Sequence, residues 1–152
     1  RLVDALLARG FREVTVLDVS EAALATARRR LGAAADAVRW IAADATRWTP
    51  ERTYAVWHDR AAFHLLVDPA DRAAYRARLL AAVPVGGHVV LGTFAPEGPE
   101  KCSGLPVVRQ DPERLAAFLG PPFALVESRR HVHRTPGGRP QAFRFAAFRR
   151  IA

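Results

Sequence analysis

The sequence predicts an α/β domain, a mostly parallel sheet with helices on both faces that ends in an antiparallel hairpin. Three observations carry this. Short apolar runs alternate with capped amphipathic segments over 1–122. Aspartates stand at or just past the ends of several of these runs. Finally, residues 123–152 hold two strand-like runs with no room for a helix between them.

In chain order, Leu2, Val3, Leu6 and Leu7 repeat at helical spacing and Gly10 closes the segment. Val14–Val19 is almost wholly apolar, as expected of a strand buried on both faces. Ser20 can cap the next helix, with Glu21 in its first turn, Arg28, Arg29 and Arg30 in its last, and Gly32 at its end. Ala23, Leu24, Ala27 and Leu31 form its inward stripe. Val38–Ala42 and Tyr54–His58 read as strands. Asp68-Pro69 opens a helix to about Val83 with Tyr75, Leu79 and Leu80 inward. Pro84 and Gly86-Gly87 turn the chain into His88–Phe94, the most apolar strand. A polar loop follows over 95–110, and Asp111-Pro112 opens a helix that Gly120-Pro121-Pro122 ends. Phe123–Val132 and Ala142–Ile151 must then be antiparallel neighbours.

Composition narrows the class. The chain has 152 residues, half of them apolar, which suits a single domain over 1–152 with a real core. No run of roughly eighteen apolar residues marks a membrane span. The single cysteine, Cys102, excludes an internal disulfide and fits a reducing, cytoplasmic setting. The net charge of +8 comes almost wholly from arginine, spread through an Ala/Arg/Pro-rich sequence, and reads first as a compositional bias. No basic run interleaved with aromatics suggests a nucleic-acid groove.

Ligands of open α/β sheets sit beyond the carboxyl ends of the strands. That rule selects Asp18-Val19-Ser20, Asp44-Ala45, the segment Trp57–His64 and the loop after Phe94. A carboxylate after the second strand of a nucleotide-binding unit can accept both hydroxyls of a ribose, which suits Asp18. Asp44 can accept from an adenine amine. Two histidines, His131 and His133, alternate with Arg129 along one strand face, either solvated or edging an acceptor pocket, and lack a third ligand for zinc. No metal site is expected.

The stretches "VTVLDVSEAALATARRRL", "VRWIAADAT", "YAVWHDRAAFHLL" and "VPVGGHVVLGTF" together resemble the successive motifs of class I S-adenosylmethionine-dependent methyltransferases, a Rossmann-like family. The resemblance implies S-adenosyl-L-methionine as cofactor. It implies that Asp18 binds the ribose, with Val19 and Ser20 beside it, and that Val19 packs on the adenine. Asp44 and the Ala45 amide would meet the adenine ring, and Trp57 and His58 would face the methionine part. The family's first motif, a strand with a glycine-rich turn, is absent. By the spacing of about 20 residues it should lie at or before Arg1, so the chain is expected to lack that segment. The sequence "WHDRAAFH" also departs from the signature of methylation on nucleic-acid bases.

Methyl transfer from a sulfonium needs in-line alignment, and a base only when the nucleophile arrives protonated. His58, Asp59 and His64 are the candidate catalytic groups, although Asp59 also suits a helix cap and His64 a packed helix face. Arg60, Phe63 and Cys102 are candidate substrate contacts, Cys102 through the long loop after Phe94. The acceptor is expected to be a small molecule or a protein side chain. Two other functions fit less of the chain: a nicotinamide-dependent oxidoreductase, and a non-catalytic arginine-rich binding module on an α/β scaffold.

Overall fold

Capping chemistry sets where the helices start. In the structure, a computed structural model describing residues 1–152, Ser20 Oγ accepts from the Ala23 N–H and opens helix α2 (Glu21–Leu31). Asp68 accepts from Ala70 at 2.8 Å ahead of α3 (Pro69–Ala82), and Asp111 from Arg114 at 2.8 Å ahead of α4 (Pro112–Leu119). In both, proline occupies the start of the first turn, where its missing N–H costs nothing.

The chain forms two compact units, 1–48 and 49–152. The first holds α1 (Leu2–Ala8), β1 (Val14–Asp18), α2, a 3₁₀ segment (Gly32–Ala37) and β2 (Val38–Ala42). Strands β1 and β2 are parallel and in register from Val14↔Val38 to Asp18↔Ala42. Asp4 of α1 takes both Nε and Nη2 of Arg30 of α2, at 3.0 and 2.8 Å. That guanidinium pulls the Asp4 carboxyl down to about 2. The sequence predicts β1 to be buried on both faces, yet all five of its residues are only half-buried. Within its unit it pairs with one strand alone.

The second unit holds β3 (Val56–Arg60), a 3₁₀ turn (Phe63–Leu65), α3, β4 (His88–Phe94), a small hairpin of β5 (Lys101–Cys102) and β6 (Leu105–Pro106), α4, β7 (Phe123–Arg134) and β8 (Pro140–Arg150). Its main sheet runs β3-β4-β8-β7. β3 and β4 are parallel, and β8 lies antiparallel between β4 and β7. The parallel pairs and the antiparallel terminal hairpin are as expected, and the hairpin makes the main sheet of this unit mixed. The terminal hairpin inserts β8 next to β4, while β3, β4 and β7 all run the same way. The strand predicted over Tyr54–His58 is shifted to end at Arg60, because Asp59 and Arg60 still pair with Leu91 and Gly92.

The core of this unit is aromatic and aliphatic: Phe63, Tyr75, Leu79, Leu91, Phe94, Leu115, Leu119 and Phe148 are buried. Arg150 donates to the carbonyls of Leu80 and Val83, placing a cation at the α3 C-terminus. Arg76 donates to the Leu119 carbonyl at 2.9 Å and ties α3 to the end of α4.

A glycine stands in the middle of β4, where a side chain would normally be favoured. A Cβ on Gly92 would fall 2.3 Å from Cε1 of Phe145, its partner on β8, so the phenyl ring lies across the bare backbone. Gly92→Ala is expected to lower stability by about 1–3 kcal/mol through overpacking. In a double-mutant cycle read by urea unfolding, Phe145→Ala should relieve part of that loss, giving a coupling of about 0.5 kcal/mol or more.

Candidate active site

In the first unit, the carboxyl ends of β1 and β2 lie side by side. The Ala43 N–H donates to the Asp18 carbonyl at 3.1 Å, which locks the two strand ends together. Asp18 Oδ1 accepts from the Ser20 N–H at 2.8 Å, so the carboxylate is held in an Asx turn, and Oδ2 has no bond within the chain. Val19, between them, is 77% exposed, an unusual setting for a valine just past a strand. Asp44 is built alike. Its Oδ1 accepts from the Thr46 N–H at 2.8 Å and the Thr46 hydroxyl at 2.7 Å. These bonds lower its pKa. The Arg47 and Trp48 N–H groups close the turn onto the Asp44 carbonyl, and the Ala45 N–H takes no part. Each aspartate thus has one oxygen fixed by its own turn; Asp18 Oδ2 has no partner within the chain, while Asp44 Oδ2 lies 4.0 Å from Arg47 Nε.

In the second unit, strand alternation divides β3. Trp57 and Asp59 face α3. Trp57 Nε1 donates to the Tyr75 hydroxyl at 2.9 Å, and that hydroxyl donates to Asp59 Oδ2 at 2.7 Å. Asp59 also accepts from the N–H groups of Ala62 at 3.0 Å and Phe63 at 3.1 Å. Burial pushes the Asp59 carboxyl up against these bonds, and it pushes the Tyr75 phenol up as well. His58 and Arg60 project from the opposite face and are exposed. Desolvation lowers the His58 imidazole, with the Asp59 charge opposing it.

A family model described as a methyltransferase domain matches residues 1–87. The chain belongs to that family. No curated protein matches it. Among solved structures, it superposes on the 1,6-didemethyltoxoflavin N1-methyltransferase of Burkholderia thailandensis with a TM-score of 0.76 at 22% identity, over 100% of this chain and 67% of that one. The N-methyltransferase NodS of Bradyrhizobium japonicum gives 0.73 at 17% identity, over 92% and 74%. The glycopeptide N-methyltransferase MtfA gives 0.66 at 17%, over 93% and 79%. At these identities the superpositions show a shared fold. Neither the oxidoreductase nor the binding-module reading gains support from these matches.

The methyltransferase fold sharpens the residue assignments. Asp18, Val19, Asp44 and Ala45 stand just at or past the ends of β1 and β2. Ser20 is spent locally, its hydroxyl capping α2 and its N–H closing the Asp18 turn. Three expectations need correcting. His64 is fully buried, its ring packs on Phe94, and its Nδ1 accepts from the Phe94 N–H at 3.2 Å. That bond puts the proton on Nε2, which is buried without a partner. Phe63 is buried between Tyr75 and Phe118, so it is core and not a substrate contact. Asp59 has both oxygens bonded inside the fold, and it positions the turn after β3 instead of meeting substrate. The Trp57 indole is likewise tied to Tyr75. Cys102 is half-buried on the β5–β6 hairpin, whose Ser103-Gly104 turn has positive φ at both positions.

What the sequence missed is Tyr75 as the partner of Asp59. Its place on the inward stripe of α3 was legible, but the hydrogen bond depends on how α3 packs on β3.

Burial pulls the His64 imidazole from 6.5 down to about 4. Because the unfolded chain binds the proton more tightly, stability is complete above about pH 6.5 and is lost as pH falls toward 4. The loss attributable to this group should reach up to about 3 kcal/mol. In His64→Gln, whose amide oxygen can still accept from Phe94, urea unfolding across that window should show a flatter pH slope.

Proposed function

We propose that this chain is the cofactor-binding and catalytic domain of an S-adenosyl-L-methionine-dependent methyltransferase acting on a small molecule or a peptide side chain. The observation that carries it is the β1 end: a carboxylate with one oxygen fixed in a turn and one free, followed by a bare valine. A ribose diol fits the free oxygen, and an adenine face fits Val19. Asp44 Oδ2 and the Ala45 N–H offer an acceptor and a donor side by side, the pattern an adenine edge needs. The neighbouring structures support the same cofactor, since the toxoflavin-precursor enzyme holds S-adenosylhomocysteine and MtfA holds S-adenosylmethionine. Their acceptors are a small molecule and a glycopeptide. The lone cysteine agrees with a reducing, cytoplasmic setting.

When bound, S-adenosylmethionine supplies an electrophilic methyl on a sulfonium with a neutral leaving group. The residues of this chain then have three tasks. Asp18, Val19, Asp44 and Ala45 would hold the adenosine part. In the second unit, His58 in the middle of β3 accepts a proton from an acceptor that arrives protonated. Asp59 holds the turn after β3 so that His58 and Arg60 stay on the other face. Orientation of this kind is worth more than any single acid or base in a displacement with so good a leaving group.

Asp18→Asn keeps the Oδ1 bond to Ser20 but removes the charge and one acceptor. Calorimetric titration should show affinity for S-adenosylhomocysteine at least tenfold weaker, or about 1.4 kcal/mol. Unchanged affinity would mean that Asp18 serves the turn alone, and a wild-type chain that binds NAD instead would refute the methyltransferase reading. For His58 the pH dependence is decisive. Its lowered pKa places the acid limb of kcat/KM below the usual 6.5 of histidine, and His58→Gln should abolish that limb.

A further inference from the structure

Strand register builds a row across the second unit's sheet. Arg60 of β3, Gly92 of β4, Phe145 of β8 and Arg129 of β7 are successive partners. Partners share a face, so the two guanidiniums flank the Phe145 ring that lies over Gly92. The adjacent row places His131 opposite Phe143, and His133 follows on the same face of β7. α3 and α4 both belong to the other side, joined through the Phe63, Tyr75 and Phe118 rings near Asp59. The result is an open groove of about 650 Å³ lined by Arg60, Arg129, Arg130, His131, His133 and Phe145.

The charges in this groove are unequally answered. Arg129 is bonded to Glu127, and Arg130 donates to Glu97 Oε1 at 2.8 Å. Arg60 makes no ion pair. Its guanidinium rests over the Phe143 ring, 5.2 Å from the centroid, which fixes its plane without neutralising it. His131 and His133 meet the rings of Phe145 and Phe143 edge-on, at 6.3 and 6.4 Å. The groove therefore offers an uncompensated, pre-oriented guanidinium beside two imidazoles, above an aromatic floor. A planar guanidinium of this kind binds carboxylate or phosphate oxygens in pairs.

We propose that this groove is the acceptor subsite and that the acceptor is a small aromatic anion, its carboxylate or phosphate held by Arg60 and its ring stacked on Phe145. The proposal rests on the methyltransferase reading above. Its position agrees with that reading, because the groove lies toward the carboxyl ends of β3 and β4, and His58 stands two residues before Arg60 on the same face. Arg60 and His58 are one strand repeat apart on that face.

The test titrates the wild-type chain with benzoate, phenyl phosphate and neutral benzamide by ligand-observed NMR, with S-adenosylhomocysteine binding measured separately by calorimetry. Benzoate or phenyl phosphate should bind at least tenfold tighter than benzamide, and the tighter of the two tells carboxylate from phosphate recognition. Arg60→Ala should remove that preference, Arg60→Lys should keep part of it, and Phe145→Leu should weaken all three probes alike. Melting temperatures of the Arg60 variants should match wild type, since the side chain is exposed. Equal affinity for benzoate and benzamide, or wild-type anion affinity in Arg60→Ala, overturns the proposal. Such a result beside intact S-adenosylhomocysteine binding leaves the methyltransferase reading standing. Loss of S-adenosylhomocysteine binding in the wild-type chain counts against that reading itself.

Discussion

A buried carboxylate governs the second unit. Burying an ionised Asp59 without partners would cost several kcal/mol, and the fold answers it with backbone and phenol donors. The two backbone donors, Ala62 and Phe63, come from the turn that follows β3, so the same bonds that satisfy the charge fix the path of the chain. Ala61 is held at a φ of 64°, a left-handed conformation that costs an alanine about 1–2 kcal/mol. Its N–H bonds the Gly92 carbonyl at 2.8 Å, which helps to keep it there. The third donor, Tyr75, carries the network into α3 and on to Trp57. Once Asp59 and Trp57 are committed to the helix side, alternation sends His58 and Arg60 to the other.

That other face has its own constraint. Gly92 gives β4 no side chain at the one point where Phe145 must lie flat, and Phe94 next to it packs edge-on against Phe143 at 4.9 Å. The aromatic ledge formed by Phe143 and Phe145 then sets where the cations of β3 and β7 come to rest. Two faces of one sheet thus serve different ends. One is closed by helices and tolerates a carboxylate only because it is fully bonded, and the other stays open and carries charge to solvent.

Much of this was legible from sequence where a single residue acts on its own neighbourhood. Ser20, Asp68 and Asp111 announce helix starts because a cap is a local bond. The Asp18 and Asp44 strand ends are visible for the same reason. What was not legible depends on register or packing. His64 and Phe63 sit in a segment whose polar and aromatic mixture resembles a site, yet the Asp59 bonds curl that segment into the core. The Arg60–Gly92–Phe145–Arg129 row spans three pairings and residues far apart in sequence, and a shift of one residue in any pairing would dissolve it.

The charge balance also changes meaning once the arginines are placed. Arg30 holds Asp4, Arg76 and Arg150 satisfy carbonyls at helix ends, and Arg28 and Arg72 lie over the rings of Trp40 and Phe63. These are packing and capping roles, in which the long stem and the planar fork matter more than a field at a distance. A net charge of +8 built this way does not require a polyanionic partner. Arg60, like Arg28, meets only an aromatic face, but it does so on the open sheet face beside His131 and His133. The aromatic ledge of Phe143 and Phe145 thus sets the plane of a guanidinium that no carboxylate of the chain reaches.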